Sequence, residues 1–389
     1  MIRYNTINTI VFYRGDILIL EKKDKTILIL TAQFGAGHVS AANAIKDYLN
    51  EDSNNYNIVI QNFINASIPR INKPMVKMYE NNTKYIPELY NYYYYWKKSF
   101  SSKNDISHRL YTPKLSEYIL KLKPDLIIST FPLAACCVYN FNLKNNHIPC
   151  ITVITDVVDS CEWIYPNTDM YFLPTREIKN RLVRRGISPN SLKVTGVPIN
   201  KSFYVEEKTH IEGKYRLLLL GGGRGLFDFD ENFMHWIDNF IEKYNDIFEV
   251  TIVCGKNKKL YENLTNKNPV KNLKVLGFVN NMHELIKEYD LMLTKPGGAT
   301  LFEAIQSKTP VIVKLPKVGQ EIENAKFIVD KGIGIVYNDE NDLKQIFKSI
   351  TSNKFNTLVD FMSDNISDFK KTIYPEKISE YINEILIKK

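Results

Sequence analysis

The stretch LTKPGGATLFEAIQSKTPVIVKLPKVGQEIEN, residues 293–324, decides the fold. An apolar run over 290–294 ends at Lys295-Pro296, and proline has no N–H for a central ladder, so the strand stops there. Gly297 and Gly298 let the backbone come close to a ligand, and Thr300 is placed to cap a helix over 301–307. The first amides and the dipole of such a helix favour an anion, and a diphosphate suits the position. Glu303 lies one turn after Thr300 on the same face, where its carboxylate can take two vicinal sugar hydroxyls. A second strand over 309–315 leads into a polar loop carrying Gln320, Glu321 and Asn324. These reach the same end of a parallel sheet, the end at which open α/β sheets bind ligands. A lone Gly-Gly pair is most often a plain tight βα turn. That plain reading weakens where the turn, Glu303 and GQExEN converge on one sheet edge.

Outward from this stretch the strand-then-turn rhythm recurs. A buried-type strand over 26–30 runs into TAQFGAGH and a helix over 39–49, and Gly35-x-Gly37 there invites a dinucleotide-binding reading. That reading fails: Ser40 stands where the third glycine belongs, and the strand over 57–60 ends without a ribose-binding acid. His38 falls at the helix N-terminus, where the dipole disfavours imidazolium, so a neutral ring is available to take a proton from an attacking hydroxyl. A structural hydrogen-bonding role fits a lone histidine as well. A strand over 125–129 leads into TFPLAACC, and one over 151–155 ends at Asp156, which can orient an imidazole, accept a hydroxyl or simply cap a turn. Strands over 169–173 and 192–197 close the first half. The second half opens with a strand over 216–220 and GGGRG, in which Gly222, Gly223 and Arg224 can wrap a phosphate or form a plain βα turn.

KPGGATLFEA and PKVGQEIENA resemble the motifs of the glycosyltransferase family that holds the peptidoglycan N-acetylglucosaminyltransferase, the plant monogalactosyldiacylglycerol synthases and the bacterial processive diacylglycerol glucosyltransferases, most closely the last. The resemblance covers about residues 24–389. It implies the GT-B fold, α/β, with two doubly wound Rossmann-like domains facing a cleft. It also implies inverting transfer of a hexose, glucose first among the candidates, from a UDP-sugar to diacylglycerol. By the same resemblance Thr300 and Gln320 touch the donor phosphates and sugar, Glu303 holds the ribose, and Phe278 and Val279 of GFV meet the uracil. Gly37 and His38 of GxGH form the acceptor-side loop, with His38 or Asp156 as the base. Relatives usually carry histidine three residues before Trp163; this chain has Ser160, so what that histidine does for the acceptor falls to other groups. Expected boundaries are an extension at 1–24, an acceptor domain at 25–200, a linker at 201–213, a donor domain at 214–374, and a helix at 375–389 returning to the first domain. No DxD-type metal site is present, a helix dipole can replace a cation, and neither a cofactor nor an essential metal is expected.

Composition narrows the partners. A chain of 389 residues is too long for one ordinary core, and 44% hydrophobic with 24% charged residues is globular usage. No apolar run reaches the roughly 18 residues that span a bilayer. Five cysteines without CxxC give no disulfide framework or zinc pattern, which fits a cytoplasmic setting. Residues 1–200 hold 24 basic and 16 acidic side chains, net +8, while 201–389 hold 27 of each; within the first half, 66–123 carry +7. Leu89, Tyr92, Tyr93, Trp96 and Phe100 form one helical stripe there, with Lys97 and Lys98 beside it. That is either a core helix with solvated lysines or an interfacial helix on an anionic membrane. No nucleic-acid-binding motif accompanies it. Two rival classes share the donor site: a UDP-GlcNAc 2-epimerase-like isomerase, and a UDP-sugar-binding protein without catalysis.

Overall fold

The computed structural model describes residues 9–13, 16–20, 24–33, 36–52, 55–68, 108–206, 208, 214–221, 231–244, 246–266, 272–351 and 355–387. The chain opens with an antiparallel hairpin of β1 (Thr9–Tyr13) and β2 (Asp16–Leu20). Two six-stranded sheets follow. The first comprises β3 (Lys25–Thr31), β4 (Tyr56–Asn62), β5 (Leu126–Ser129), β6 (Cys150–Val153), β7 (Met170–Leu173) and β8 (Leu192–Val194), in the order β4-β3-β5-β6-β7-β8. The second comprises β9 (Tyr215–Leu220), β10 (Phe248–Val253), β11 (Leu273–Leu276), β12 (Leu291–Thr294), β13 (Val311–Lys314) and β14 (Gly334–Tyr337), in the order β11-β10-β9-β12-β13-β14. Every pairing in both sheets is parallel. The runs LIIS, CITV, MYFL and LMLT are buried throughout, as strands covered by helices on both faces must be.

Strand order reverses between β3 and β5 in the first sheet and between β9 and β12 in the second, and the crevices at such reversals are where doubly wound sheets take ligands. The helices that frame the crevices are α1 (Gly37–Asn50) after β3, α2 (Gly298–Gln306) after β12 and α3 (Gly319–Asp330) after β13. This is the GT-B arrangement.

Three local expectations are corrected. The helix after the Gly-Gly turn starts at Gly298, with Gly297 rather than Thr300 at the N-cap, because the small residues let the backbone turn helical three positions earlier. GQExEN is not a polar loop but the first two turns of α3. The helix bearing His38 begins at Gly37 rather than near residue 39.

Past α4 (Phe355–Lys370) the chain crosses back, with the Tyr374 amide bonded to the Val194 carbonyl. It ends in α5 (Ile378–Ile387), whose Ile378, Ile382 and Leu386 join the core of the first sheet beside Ile27, Ile29 and Ile45. A continuous apolar cluster spans both sheets, with Val157, Trp163 and Ile199 on one side and Leu301, Phe302 and Ile328 on the other. Gly196 sits in this seam at φ +73°, where a Cβ would come within 2.9 Å of Ile373.

Candidate active site

The N-termini of α1 and α2 face each other across the crevice. A Cβ on Gly37 would lie 3.6 Å from the Ala299 Cβ, an ordinary contact, so the two first turns are as close as side chains allow. At Gly298 the approach is closer than any side chain permits: a Cβ there would meet the Thr155 carbonyl oxygen at 1.9 Å and the Asp156 carboxylate at 3.0 Å. Glycine at 298 is therefore required by the seating of the second domain on the β6 turn. In α2 the Leu301 amide bonds to the Gly297 carbonyl, which leaves the Gly298, Ala299 and Thr300 amides ahead of the first intrahelical acceptor. Three such donors and a positive helix end make an anion site.

His38 is half-buried at the start of α1. Its Nδ1 lies 2.9 Å from the Thr155 hydroxyl, and the Thr130 hydroxyl donates to its backbone carbonyl at 3.0 Å. Phe131 stands edge-on at 5.2 Å between centroids and Trp163 lies at 6.2 Å. Enclosure lowers the histidine pKa below its ordinary 6.5, and the nearby negative charge of Asp156 opposes that shift without reversing it. The ring is neutral at pH 7, mainly through burial, where the sequence suggested the helix dipole. In the tautomer that gives Nδ1–H to the Thr155 hydroxyl, Nε2 carries the lone pair that a general base needs.

Among the described residues the Glu303 carboxylate has no hydrogen-bond or ion-pair partner, and burial pushes its pKa up to about 8. Glu321 is raised as well, first by burial, with Lys295 opposing and Asp156 adding to the shift. Gln320 opens α3 beside it, half-buried. Phe278 and Val279 lie in the turn after β11: the Phe278 ring is exposed with the Lys256 ammonium 5.4 Å from its centroid, and Val279 packs on the cross-domain cluster. Thr300 and Glu303 stand on α2 and Gln320 and Glu321 on the first turn of α3, the helices that follow the neighbouring strands β12 and β13, and Glu321 lies near Lys295 and Asp156.

Two expectations are corrected here. Asn324 was assigned to the donor, but it has no exposed surface and both amide hydrogens are given to protein: Nδ2 donates to the Pro296 carbonyl at 2.9 Å and to Asp156 Oδ1 at 2.8 Å, while Oδ1 accepts from the Val157 amide at 2.7 Å. Ser160 was placed on the acceptor side, but it is wholly buried with no hydrogen-bond partner for its hydroxyl, so it offers no surface to an acceptor. Its neighbour Asp159 is held by Arg185 at 2.8 Å. Trp163, 3% exposed, serves as a wall for the imidazole rather than an open platform. Sequence reading missed Thr155, Thr130 and Phe131; the TFP run and the Thr-Asp strand end were the available signals. Gly222, Gly223, Arg224, Tyr93, Trp96, Lys97 and Lys98 lie outside the described residues. Among the described residues no group of three or more His, Cys, Asp or Glu side chains is placed to hold a metal ion, and no helix is long and apolar enough to cross a membrane.

A two-domain fold with a facing pair of helix ends, His38 and Asp156 on one side and Glu303 and Glu321 on the other, is the layout of an enzyme that acts on nucleotide sugars. Residues 38–199 match the family model of monogalactosyldiacylglycerol synthase, and residues 216–374 match the C-terminal domain of glycosyltransferase family 28. The processive diacylglycerol β-glucosyltransferase of Staphylococcus epidermidis is 33% identical over 348 residues, covering 85% of this chain and 86% of that one. Its Bacillus subtilis counterpart is 32% identical over 344 residues, covering 85% and 87%. The chain belongs to this glycosyltransferase family. In fold it also resembles the UDP-GlcNAc 2-epimerase of Neisseria meningitidis solved with UDP-GlcNAc, at a TM-score of 0.57, 15% identity and coverage of 94% of this chain and 100% of that one.

Proposed function

We propose that the protein is an inverting glycosyltransferase that moves glucose from UDP-glucose to the free hydroxyl of diacylglycerol in glycolipid synthesis. The observation that carries this reading is the meeting of the two helix ends, with His38 and Asp156 on the acceptor side and the free amides of Gly298, Ala299 and Thr300 on the other. The acceptor hydroxyl gives its proton to His38 or Asp156, and its oxygen attacks the anomeric carbon. The bond from that carbon to the phosphate oxygen breaks with inversion, and the departing UDP takes the electron pair against the amides and dipole of α2. Glu303 takes the ribose hydroxyls, Gln320 and Glu321 the sugar, and Phe278 and Val279 the base. The GGGRG turn after β9, with Gly222, Gly223 and Arg224, adds phosphate contacts. The reaction requires no resident cofactor or metal ion.

The acceptor is drawn from a bilayer. The +7 segment and its aromatic stripe, with Tyr93, Trp96, Lys97 and Lys98, hold the protein peripherally on the inner, anionic face of the cell membrane rather than on nucleic acid. The test is purified protein with a panel of UDP-sugars and diacylglycerol in mixed micelles, read by mass spectrometry. Glucosyl-diacylglycerol from UDP-glucose is the expected product. Transfer to a soluble glycan or an isoprenoid-linked sugar would keep the donor site and overturn the lipid acceptor; turnover of UDP-GlcNAc with no acceptor would overturn transfer itself in favour of an isomerase.

A further inference from the structure

Asn324 joins groups that are far apart in the chain and belong to different sheets. Its amide hydrogens bind the Pro296 carbonyl, in the turn that opens the donor helix, and Oδ1 of Asp156, at the end of β6. Its oxygen takes the Val157 amide, so both the side chain and the following peptide of the β6 turn are fixed from the donor side. The same turn carries Thr155, whose carbonyl fits against Gly298 and whose hydroxyl meets His38. One side chain of the donor domain therefore sets the loop that carries both the carboxylate and the partner of the imidazole.

We propose that Asn324 is a positioning residue that holds Asp156 and Thr155 in register with His38 only while the two domains are closed, so that deprotonation of the acceptor waits on closure over the donor. A neutral amide suits this place. Asp156 already faces Glu321 on α3 and His38 on α1, and Lys295, in the turn before α2, lies near Glu321. A carboxylate at 324 would add repulsion, whereas the amide supplies donors and carries no charge. Asp156 Oδ2 makes no hydrogen bond among the described residues, so the clasp uses one carboxylate oxygen and leaves the other for the reaction. The side chain is buried and spans the seam; opening breaks its bonds to Asp156 Oδ1 and the Val157 amide, which must then find water, while its bond to the Pro296 carbonyl lies within the donor domain and persists.

This inference rests on His38 and Asp156 as the acceptor-deprotonating pair, and His38→Ala tests that separately: retained turnover there would remove the pair and the proposal with it. For Asn324 itself, Asn324→Ala and Asn324→Asp are compared with wild type in steady-state kinetics across pH, with UDP binding by calorimetry as the check on folding. A misplacement on the order of 1 Å at reacting groups costs roughly 100-fold. A positioning role predicts a kcat fall of about 10- to 100-fold in Asn324→Ala and more in Asn324→Asp, with KM for the UDP-sugar within about threefold of wild type. It also predicts that the acid limb of kcat moves to lower pH in Asn324→Ala. Asp156 opposes the lowering of the His38 pKa, and a carboxylate no longer held near the ring opposes it less. A fall in kcat with an unmoved pH limb would reduce Asn324 to a structural bond. A raised KM with altered preference between UDP-glucose and UDP-galactose would make it a donor contact. Either result overturns the proposal, as does loss of UDP binding in both variants.

Discussion

Donor binding should pull a proton from Glu303. In the free protein, burial keeps this carboxyl neutral up to about pH 8. Ribose hydroxyls donate hydrogen bonds and so select the carboxylate. If the ionised form alone binds, the apparent dissociation constant of UDP-glucose carries a penalty factor of about 11 at pH 7, about 2 at pH 8 and about 1.1 at pH 9, so binding tightens roughly tenfold between pH 7 and 9. The proton displaced per ligand bound is about 0.9 at pH 7 and about 0.5 at pH 8. Calorimetry in two buffers of different ionisation enthalpy reads that number directly. His38 cannot mimic this release: any rise of its depressed pKa on binding takes up a proton, so pH 8, farther above that pKa, gives the cleaner count. Glu321 is the other raised carboxyl, so Glu321→Gln is the control. Glu303→Gln must abolish the release and flatten the pH dependence, while Glu321→Gln keeps both. No proton release in wild type, or release that persists in Glu303→Gln, refutes the assignment of Glu303 to the ribose.

Gly298→Ala places a methyl where the Thr155 carbonyl stands, so the domains must part; turnover should fall by roughly 100-fold while UDP binding persists, and an unchanged rate would refute the close seating. His38→Ala should lower kcat by about 100-fold or more, as loss of a general base does, with the donor KM little changed. Replacing Trp96, Lys97 and Lys98 together should release the protein from anionic vesicles in a sedimentation assay without loss of UDP binding, and salt should do so in part. Wild type that fails to sediment at low salt would remove the membrane reading.

What a sequence shows of such an enzyme is set by how local the cause is. Apolar runs such as LIIS and LMLT announce buried parallel strands, and glycines or a histidine just past a strand end mark the crevice edge, because each effect lies within a few residues. Thr300 was placed one turn wrong because Gly297 and Gly298 look like a turn until the packing of α2 draws Gly298 into the helix. Asn324 looked like a ligand contact because its motif sits at the donor edge; its hydrogen bonds run to Asp156 and Val157, 168 and 167 positions earlier. The steric demand on Gly298 comes from Thr155 in the other domain, and no local pattern carries it. Ser160 likewise was read from a family position, whereas the fold buries it behind the turn that carries Asp159 and Cys161.

The same cross-domain geometry couples the donor's charge to the base. A diphosphate against the first amides of α2 stands opposite the first turn of α1, and the proton leaving Glu303 makes the crevice more negative still. Negative charge near an imidazole favours its protonated form, as Asp156 already does for His38. UDP binding should therefore raise the His38 pKa from its depressed value, making the ring a stronger base when the donor is in place. The chain has 6 histidines, so the His38 imidazole resonance is assigned by its loss in His38→Gln and then titrated by NMR with and without UDP. A higher midpoint with UDP supports an order in which donor binding prepares the base before the acceptor hydroxyl is attacked. An unmoved or lower midpoint would mean that the diphosphate lies too far from His38 to act on it, and the facing helix ends would then have to serve separate ligands.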